Sequence, residues 1–428
     1  LDALDDGFAG IEIGRGVPSQ NTVTLGTATF RDPLQLFAGT VAFTGNATFS
    51  ASLDVLATTG AITLDDATLS LLNENPAGTW TDATITLEAD NAPITLTSAA
   101  GLSATLDPAS ITRDDAPEAA ITLLADAAVT HQLDSGGRVE TDRLHVDAND
   151  GIQLATAVKT LHANTSAAGA ITIEEADDLI AAAVSTADGP ITLTAGGSLT
   201  AQDIISLTDS DDNDIALTAQ TGNLLLESVN AQPQGDITLQ APAQSILDNT
   251  TSGETALLEG DDITLAAGQT IGTDATDADI DLRANTIAAA TTGTPGTIRL
   301  DQLDPAGTTA VTIDQTAADA TGDVHLRFAN SPLVAAPGIS LAGTGALTLL
   351  ATDAANPEIA VNSPITTASG NITLTSAGSI LFETDADTTI ADGNGRLRLD
   401  AAADITADSA TLQTHNGAIR ATSGTAIE

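Results

Sequence analysis

The densest group of metal-ligating side chains in the sequence is the acidic run TDSDDND at residues 208–214. Oxygen ligands at such short spacing suit Ca²⁺, so we predict a calcium loop here. The run differs from an EF-hand loop, because its sixth position is Asp214 instead of Gly and its twelfth is Gln220 instead of Glu. The abundance of Asp in the chain favours the alternative, a plain solvated loop. The predicted ligands are Asp209, Asp211, Asp212 and Asp214.

A second acidic group, Asp274, Asp277, Asp279 and Asp281, has no fixed ligand pattern. Paired carboxylates on neighbouring strands could act as the acid and base of glycoside cleavage, but such pairs are unavoidable at this composition. Arg113, beside Asp114 and Asp115, is the nominal cation for a calcium-assisted lyase, and a surface ion pair explains it equally well. We therefore predict that the chain is not an enzyme. A secreted β-helical polysaccharide-active enzyme is kept as the alternative.

The histidines give no metal-ligand spacing. His131 and His145 are fourteen residues apart, and His145 and His162 are seventeen apart, without an HxxxH or HExxH pattern. These spacings do not predict a zinc site. His145 and His325 each lie between two apolar residues of a strand-like segment, which predicts an outward-facing position on a surface.

The charge of the chain restricts its partners. It has 58 acidic and 12 basic residues, a net charge of −46, and repels nucleic acid and anionic lipid headgroups. It has no Cys, so thiols do not indicate a redox compartment. No apolar run reaches the ~18 residues of a membrane span, so we expect no membrane insertion of this segment. It also has no Met, which indicates that the chain starts inside a longer protein.

The elements that must carry these residues are short repeated strands. The phrase GNITLTSAGSI at 370–380 recurs as GPITLTAGGSL at 189–199 and GRLRLDAAADI at 395–405, with the apolar letters kept. Ile372 and Leu374 are two residues apart, so both face one side of an extended chain while Thr373 faces the other. We expect Thr, Asp and Asn to line the outside. The preceding glycine supplies a turn that can take positive φ. Helices should be few, because no window shows a 3.6-residue apolar stripe.

A strand of three to five residues cannot bury its face alone, so each repeat needs its neighbours. A period of about 20–25 residues with two or three short strands suits one coil of a parallel β-solenoid. We predict an all-β, one-chain parallel β-helix of roughly 19 coils, at about 22 residues per coil. It forms one continuous solenoid over residues 1–428, with residues 1–60 as slightly divergent first coils and no separate catalytic domain.

The order of these segments resembles a known family. FAGIEIGRG at 8–16 is followed by TVTLGTATFRDPLQLFAG at 22–39 and then by many GxITLxA copies. This order resembles the repeat regions of filamentous-haemagglutinin-like adhesins of two-partner secretion and related giant bacterial surface proteins. The resemblance implies a right-handed parallel β-helix, a hand that the general bias of parallel connections also favours.

The resemblance and the absence of a catalytic motif predict a structural or adhesive rod, either a segment of a large surface protein or a subunit of an extracellular filament. The expected location is extracellular or at the cell surface. We expect no required cofactor, with calcium as the one candidate, and the expected partners are further copies of the chain, stacked end to end, or a cell-surface glycan. Open solenoid ends expose strand edges, which is why stacking on another copy is expected.

Overall fold

The computed structural model describes residues 8–14, 20–73, 83–97, 100–106, 119–131, 136–250, 255–273, 278–304, 307–351 and 357–428. The fold is a parallel β-solenoid of about 16 turns with 59% strand and no helix in the described ranges. No helix in these ranges therefore has the length and apolarity needed to cross a membrane. The chain divides into two compact units, residues 1–197 with 203–208, and residues 198–202 with 209–428.

The strands of the first unit are short, and most have three to seven residues. They are β1 (Ile11–Gly14), β2 (Thr22–Leu25), β3 (Ala28–Phe30), β4 (Leu34–Ala38), β5 (Thr40–Phe43), β6 (Ala47–Phe49), β7 (Leu53–Ala57), β8 (Ile62–Leu64), β9 (Thr68–Asn73), β10 (Ala83–Ala89), β11 (Ile94–Leu96), β12 (Gly101–Leu106), β13 (Ala119–Ala125), β14 (Val129–His131), β15 (Val139–Ala148), β16 (Ile152–Ala168), β17 (Ile171–Glu175), β18 (Leu179–Asp188), β19 (Ile191–Ala195) and β21 (Ile204–Ser206).

The strands of the second unit have similar lengths. They are β20 (Leu199–Ala201), β22 (Ile215–Ala219), β23 (Leu224–Leu226), β24 (Val229–Asn230), β25 (Ile237–Ala241), β26 (Ile246–Asp248), β27 (Leu258–Glu259), β28 (Asp262–Ala267), β29 (Ile280–Arg283), β30 (Thr286–Thr291), β31 (Ile298–Gln302), β32 (Thr308–Gln315), β33 (Val324–Phe328), β34 (Ser331–Leu341), β35 (Leu347–Ala351), β36 (Ile359–Val361), β37 (Ile365–Thr367), β38 (Ile372–Ser376), β39 (Ile380–Phe382), β40 (Thr388–Ile390), β41 (Leu397–Ala401), β42 (Ile405–Ala407), β43 (Leu412–Thr414) and β44 (Ile419–Ser423).

Strands from successive coils stack in parallel ladders, as a solenoid requires. In the first unit one ladder runs through β1, β4, β7, β10, β13, β15, β16, β18 and β21, and a second through β2, β5, β8, β11, β14, β16, β17 and β19. A third ladder joins β3, β6, β9, β12 and β15.

The second unit repeats the arrangement. Its ladders run through β24, β27, β29, β31, β33, β35, β38, β41 and β44, and through β22, β25, β28, β30, β32, β34, β37, β40 and β43. Shorter ladders join β20, β23 and β26, and β34, β36, β39 and β42.

The predicted alternation of side chains is confirmed in the repeated phrase. Ile372 and Leu374 are 0% exposed, and Thr373 between them is half-buried on the outer face. Leu349, Leu374 and Leu399 are register partners in successive coils, so they form an aliphatic column inside the second unit. Burying each such side chain stabilises the fold by about 1.5–3 kcal/mol relative to leaving it in water.

The number of coils is smaller than predicted, about 16 instead of roughly 19. The reason is that some coils are longer than the repeat period suggests. Leu53 pairs with Ile85 and Ile85 with Ile121, so these two steps take 32 and 36 residues. Steps in the regular part, such as Leu374 to Leu399, take 25 residues.

In the copies from residue 345 onward, the glycine before the phrase has a different role from the predicted one, whereas Gly189 and Gly296, which precede earlier copies, have the predicted positive φ, 149° and 79°. Gly345, Gly370, Gly395 and Gly417 do not have positive φ. Instead they lie above one another, and a Cβ built on Gly370 would lie 1.8 Å from the carbonyl oxygen of Gly345. A Cβ on Gly417 would lie 1.7 Å from the carbonyl oxygen of Gly395. Glycine is needed here because the backbones of successive coils approach closely.

Some Thr residues face inward, although the sequence predicts Thr on the outside. Thr186, Thr291 and Thr367 are at most 1% exposed, and each lies at the end of a strand or within two residues of it. Their hydroxyl groups donate hydrogen bonds to the carbonyl oxygens of glycines three to five residues later, for example from Thr367 to Gly370 at 3.0 Å. These bonds satisfy carbonyl groups at corners where the chain leaves the ladder.

The repeated phrase changes ladder within the second unit. The copies in β25 and β28 stack on β30, β32, β34 and β37. The copies from β31 onward stack in the ladder of β33, β35, β38 and β41. The same short phrase therefore occupies two different positions in a coil.

Candidate functional site: two stacked histidines and an acidic groove

The outer face of β15 and β16 in the first unit has a concentration of polar side chains. In β15, Leu144, Val146 and Ala148 are buried, so Arg143, His145 and Asp147 face outward. The register places His145 directly beside His162 of β16, and Asp147 beside Asn164. The stacking of coils therefore brings together residues that lie seventeen positions apart in the sequence.

The two histidines form a close pair. Their ring centroids are 6.3 Å apart and their ring planes are tilted by 39°. His145 Nε2 lies 2.9 Å from Asp147 Oδ2, and both side chains are 45% exposed. Partial burial lowers the pKa of His162, and the charges of His145 and Arg143 lower it further. The His162 ring is therefore neutral at pH 7, and its nitrogen lone pair can accept a proton or bind a metal.

An acidic groove of about 280 Å³ lies beside the pair and crosses β10, β13, β15 and β16. Its charged lining comes from three successive turns and their corners: Glu88 and Asp90 from the first, Asp126 from the second and Asp147 from the third. Asn149 and Ser166 also line the groove, and Ser166 Oγ donates a hydrogen bond of 2.5 Å to Asn149 Oδ1. The described lining contains no aromatic side chain. The groove can therefore attract cations or hydroxyl donors, but it offers no platform for stacking a sugar ring.

The predicted calcium loop lies at an exposed corner of the second unit. Asp209 Oδ1 accepts a hydrogen bond from the Gln234 backbone N–H at 2.9 Å, and Asp214 Oδ1 accepts one from the Asp236 N–H at 3.0 Å. Two of the four predicted carboxylates thus receive hydrogen bonds from the next coil. The assignment of Ca²⁺ to Asp209, Asp211, Asp212 and Asp214 stays a prediction.

Two other acidic triads come together in the described part of the second unit. The first is Asp236, Asp261 and Asp262, and the second is Asp279, Asp281 and Asp301. Partial burial raises the pKa of Asp236, and the charges of Asp214, Asp262 and Asp261 also raise it. In the second triad Asp301 is 2% exposed and forms an ion pair with Arg327, whose Nε donates to its Oδ2 at 2.6 Å. Of the second predicted acidic group, Asp274 and Asp277 lie outside the described residues, as do Arg113, Asp114 and Asp115.

Many outward Asp and Asn residues share one structural task. Asp236 Oδ1 accepts a hydrogen bond from the Asp262 N–H at 3.1 Å, and Asp323 Oδ1 accepts one from the Ala346 N–H at 2.8 Å. Asn371 Oδ1 does the same for the Arg396 N–H, also at 2.8 Å. These carboxylates and amides satisfy backbone donors at the start of a strand of the following coil, or just before it. Part of the high Asp content is therefore explained by the fold.

The histidine pair is a feature that spacing rules did not find. His145 and His325 are half-buried on outer faces, as predicted. The pairing of His145 with His162 follows from a coil of only seventeen residues between Leu144 and Leu161. The signal in the sequence is the partial match of LHVDAN at 144–149 to LHANTS at 161–166.

Comparison with protein families, with curated proteins and with solved structures finds no match to this chain. The β-solenoid is consistent with a filamentous-haemagglutinin-like repeat region. Membership of the adhesin family rests on the sequence resemblance alone.

Proposed function

We propose that this chain is a structural and adhesive β-solenoid of the bacterial cell surface or extracellular space, as a segment of a large surface protein or a subunit of a filament. The observation that carries the proposal is the stacking of short strands in both units. Each further coil adds length and lateral surface while it reuses the same aliphatic column. Such a design suits reach and display.

The charge of the surface supports the same role. Asp and Asn side chains serve the backbone of the next coil, and the net charge of −46 keeps the surface soluble and resistant to non-specific association. The partners that fit this proposal are further copies of the chain and a neutral or cationic surface glycan. Nucleic acid does not fit, because the phosphate backbone would be repelled.

The acidic groove favours a second candidate, a secreted β-helical enzyme that acts on polysaccharides. Carboxylates from neighbouring coils could supply a general acid and a base there. The groove is small for a glycan chain and its described lining has no aromatic residue, so the structural role is the stronger candidate. Hydrolysis or elimination of any glycan in a panel of neutral and acidic polysaccharides, abolished in Asp147→Asn, would establish the enzyme instead.

Electron microscopy of the purified chain at micromolar concentration tests the structural proposal. We expect elongated particles that associate end to end, and binding to a surface glycan that keeps its strength in Asp147→Asn. Compact particles without end-to-end association, together with no binding to glycans or cells, would overturn the proposal. Antibody labelling of intact bacteria that express the native protein tests the location. Labelling only after the cells are opened would contradict a surface or extracellular site.

A further inference from the structure

We propose that His145 and His162 form a binding site for a divalent first-row transition metal ion, with Zn²⁺ as the occupant in a biological setting. The site is independent of the calcium loop predicted from the sequence and of the structural role proposed above. It lies on the outer face of the first unit, where adjacent coils place the two rings side by side.

The separation of the rings fits a shared ion. Zn–N bonds of about 2.0–2.1 Å keep the centroids of two rings on one ion within about 6 Å of each other. The observed 6.3 Å therefore needs only a small rotation of either ring. His145 is 45% exposed and His162 is half-buried, so both rings have room for this adjustment.

Asp147 prepares His145 for coordination. Its Oδ2 lies 2.9 Å from His145 Nε2, so Nε2 carries the proton and donates it in this hydrogen bond. Nδ1 then has a free lone pair for an ion. A carboxylate behind a ligating imidazole is the usual arrangement in zinc sites, because it fixes the tautomer and raises the basicity of the ring. Asp147 is thus a positioning residue, and His145 Nδ1 and one nitrogen of His162 are the ligands.

The surroundings leave the outer side of the pair open. The neighbour of His145 in the preceding coil is Thr122, and the neighbour of His162 in the following coil is Ala183, so small side chains flank the rings. A β-bulge between Leu161 and His162 shifts the register at this point. Bulges of this kind commonly redirect side chains at binding sites.

The charges near the pair are mixed. Arg143 lies two residues before His145 on the same outer face and opposes a cation, whereas Asp147 lies two residues after it and attracts one. Glu88, on the wall of the adjoining groove, adds a second negative charge. Two nitrogen ligands select Zn²⁺, Cu²⁺ or Ni²⁺ over Ca²⁺ and Mg²⁺, which prefer oxygen. Solvent completes the coordination.

Calorimetric titration of the full chain with Zn²⁺ tests the site. A large excess of Ca²⁺ in the buffer occupies exposed carboxylates, so the measured binding reports the imidazoles. We expect one strong site per chain, weakened at least tenfold in His145→Ala and in His162→Ala, and weakened about tenfold in Asp147→Asn. The matched control is His415→Ala, which removes an exposed histidine elsewhere and should bind as the wild type does.

Cu²⁺ serves as a spectroscopic probe that counts nitrogen ligands. The electron paramagnetic resonance spectrum of the wild type should show coupling to two imidazole nitrogens, and each single histidine variant should lose one. Both replaced side chains face outward, so the variants should keep the circular dichroism of the wild type. Equal Zn²⁺ affinity in the wild type and both histidine variants would overturn the proposal. So would a Cu²⁺ spectrum with oxygen ligands alone.

Discussion

The glycine column of the second unit gives a sharp test of how closely the coils are packed. Gly370→Ala would place a Cβ 1.8 Å from the carbonyl oxygen of Gly345, 2.6 Å from its carbonyl carbon and 3.1 Å from the backbone nitrogen of Ala346. All three atoms belong to the backbone, so no side chain can rotate away. Ordinary contact distances are 3.4–4 Å, so the corner at Gly370 would have to move away from the preceding coil by more than 1 Å.

Such a movement disturbs the ladder beside the corner. β35 and β38 pair over Leu347–Ala351 and Ile372–Ser376, and a shift at Gly370 strains the first of these pairs. Overpacking a rigid site costs about 1–3 kcal/mol, and each weakened backbone hydrogen bond adds about 0.5–1.5 kcal/mol. We therefore expect Gly370→Ala to destabilise the second unit by about 3–5 kcal/mol. Urea unfolding followed by circular dichroism measures this loss, and hydrogen exchange of the β35 and β38 amides locates it.

Gly26→Ala is the matched control, because a Cβ at Gly26 meets no atom within 4 Å and its φ is not positive. It should be neutral or stabilise the fold by a few tenths of a kcal/mol through the unfolded chain, at the low end of the usual ~0.4–1 kcal/mol. If Gly370→Ala unfolds within about 0.5 kcal/mol of Gly26→Ala, the column does not set the spacing of the coils, and the assigned role of these glycines is wrong.

Three further predictions concern carboxylates. Burial raises the pKa of Glu175 from 4.5 to about 7, although the hydrogen bond from the Val158 N–H acts in the opposite direction. Between pH 4.5 and pH 7 the folded chain therefore binds more protons than the unfolded chain. The free energy of unfolding should therefore fall by up to about 3 kcal/mol as the pH rises from 4.5 to 7. Glu175→Gln should flatten this part of the profile of melting temperature against pH. An equally steep profile in the variant would contradict the assignment. Asp236→Asn should match or exceed the wild type in melting temperature at low salt, because it keeps an acceptor for the Asp262 N–H and removes a repelled charge. Asp236→Ala should instead lose about 1 kcal/mol of stability, because the hydrogen bond is lost. Equal stability of the two variants would show that the hydrogen bond is unimportant. If the 209–214 loop binds Ca²⁺, a chelator should lower the melting temperature of the wild type and leave Asp211→Asn unaffected, and an unchanged wild-type curve would remove the calcium site.

The sequence was sufficient to predict the fold class, because each copy of the repeated phrase has the alternation of a short strand with one buried face. Ile372 and Leu374 alternate with polar residues at the period of a strand, and a strand this short requires neighbours above and below. The role of Gly370 was missed, since a glycine in a turn usually indicates positive φ. The requirement for close approach is visible only when successive coils are superimposed.

The histidine pair could not be predicted from the sequence, because it also depends on how successive coils are superimposed. His145 and His162 become neighbours because one coil has seventeen residues, and a register is set by the summed length of strands and corners. Local patterns do not determine that sum where coils vary from 17 to 36 residues. The change of ladder between β28 and β31 has the same origin. β28 and β30 stack in one ladder, whereas β29 and β31 stack in the other, so the repeated phrase resumes in the second ladder.

The parallel ladders also define how either unit would respond to mechanical force. Their backbone hydrogen bonds lie along the direction in which coils stack, so tension in that direction opens one coil at a time from an end. A regular coil such as Leu374 to Leu399 has 25 residues. When it peels away, the chain gains about 80 Å of contour length, at about 3.3–3.6 Å per residue, while the next coil stays closed. A protein built in this way yields in discrete steps, each set by the length of the coil that opens, and dissipates work at each one.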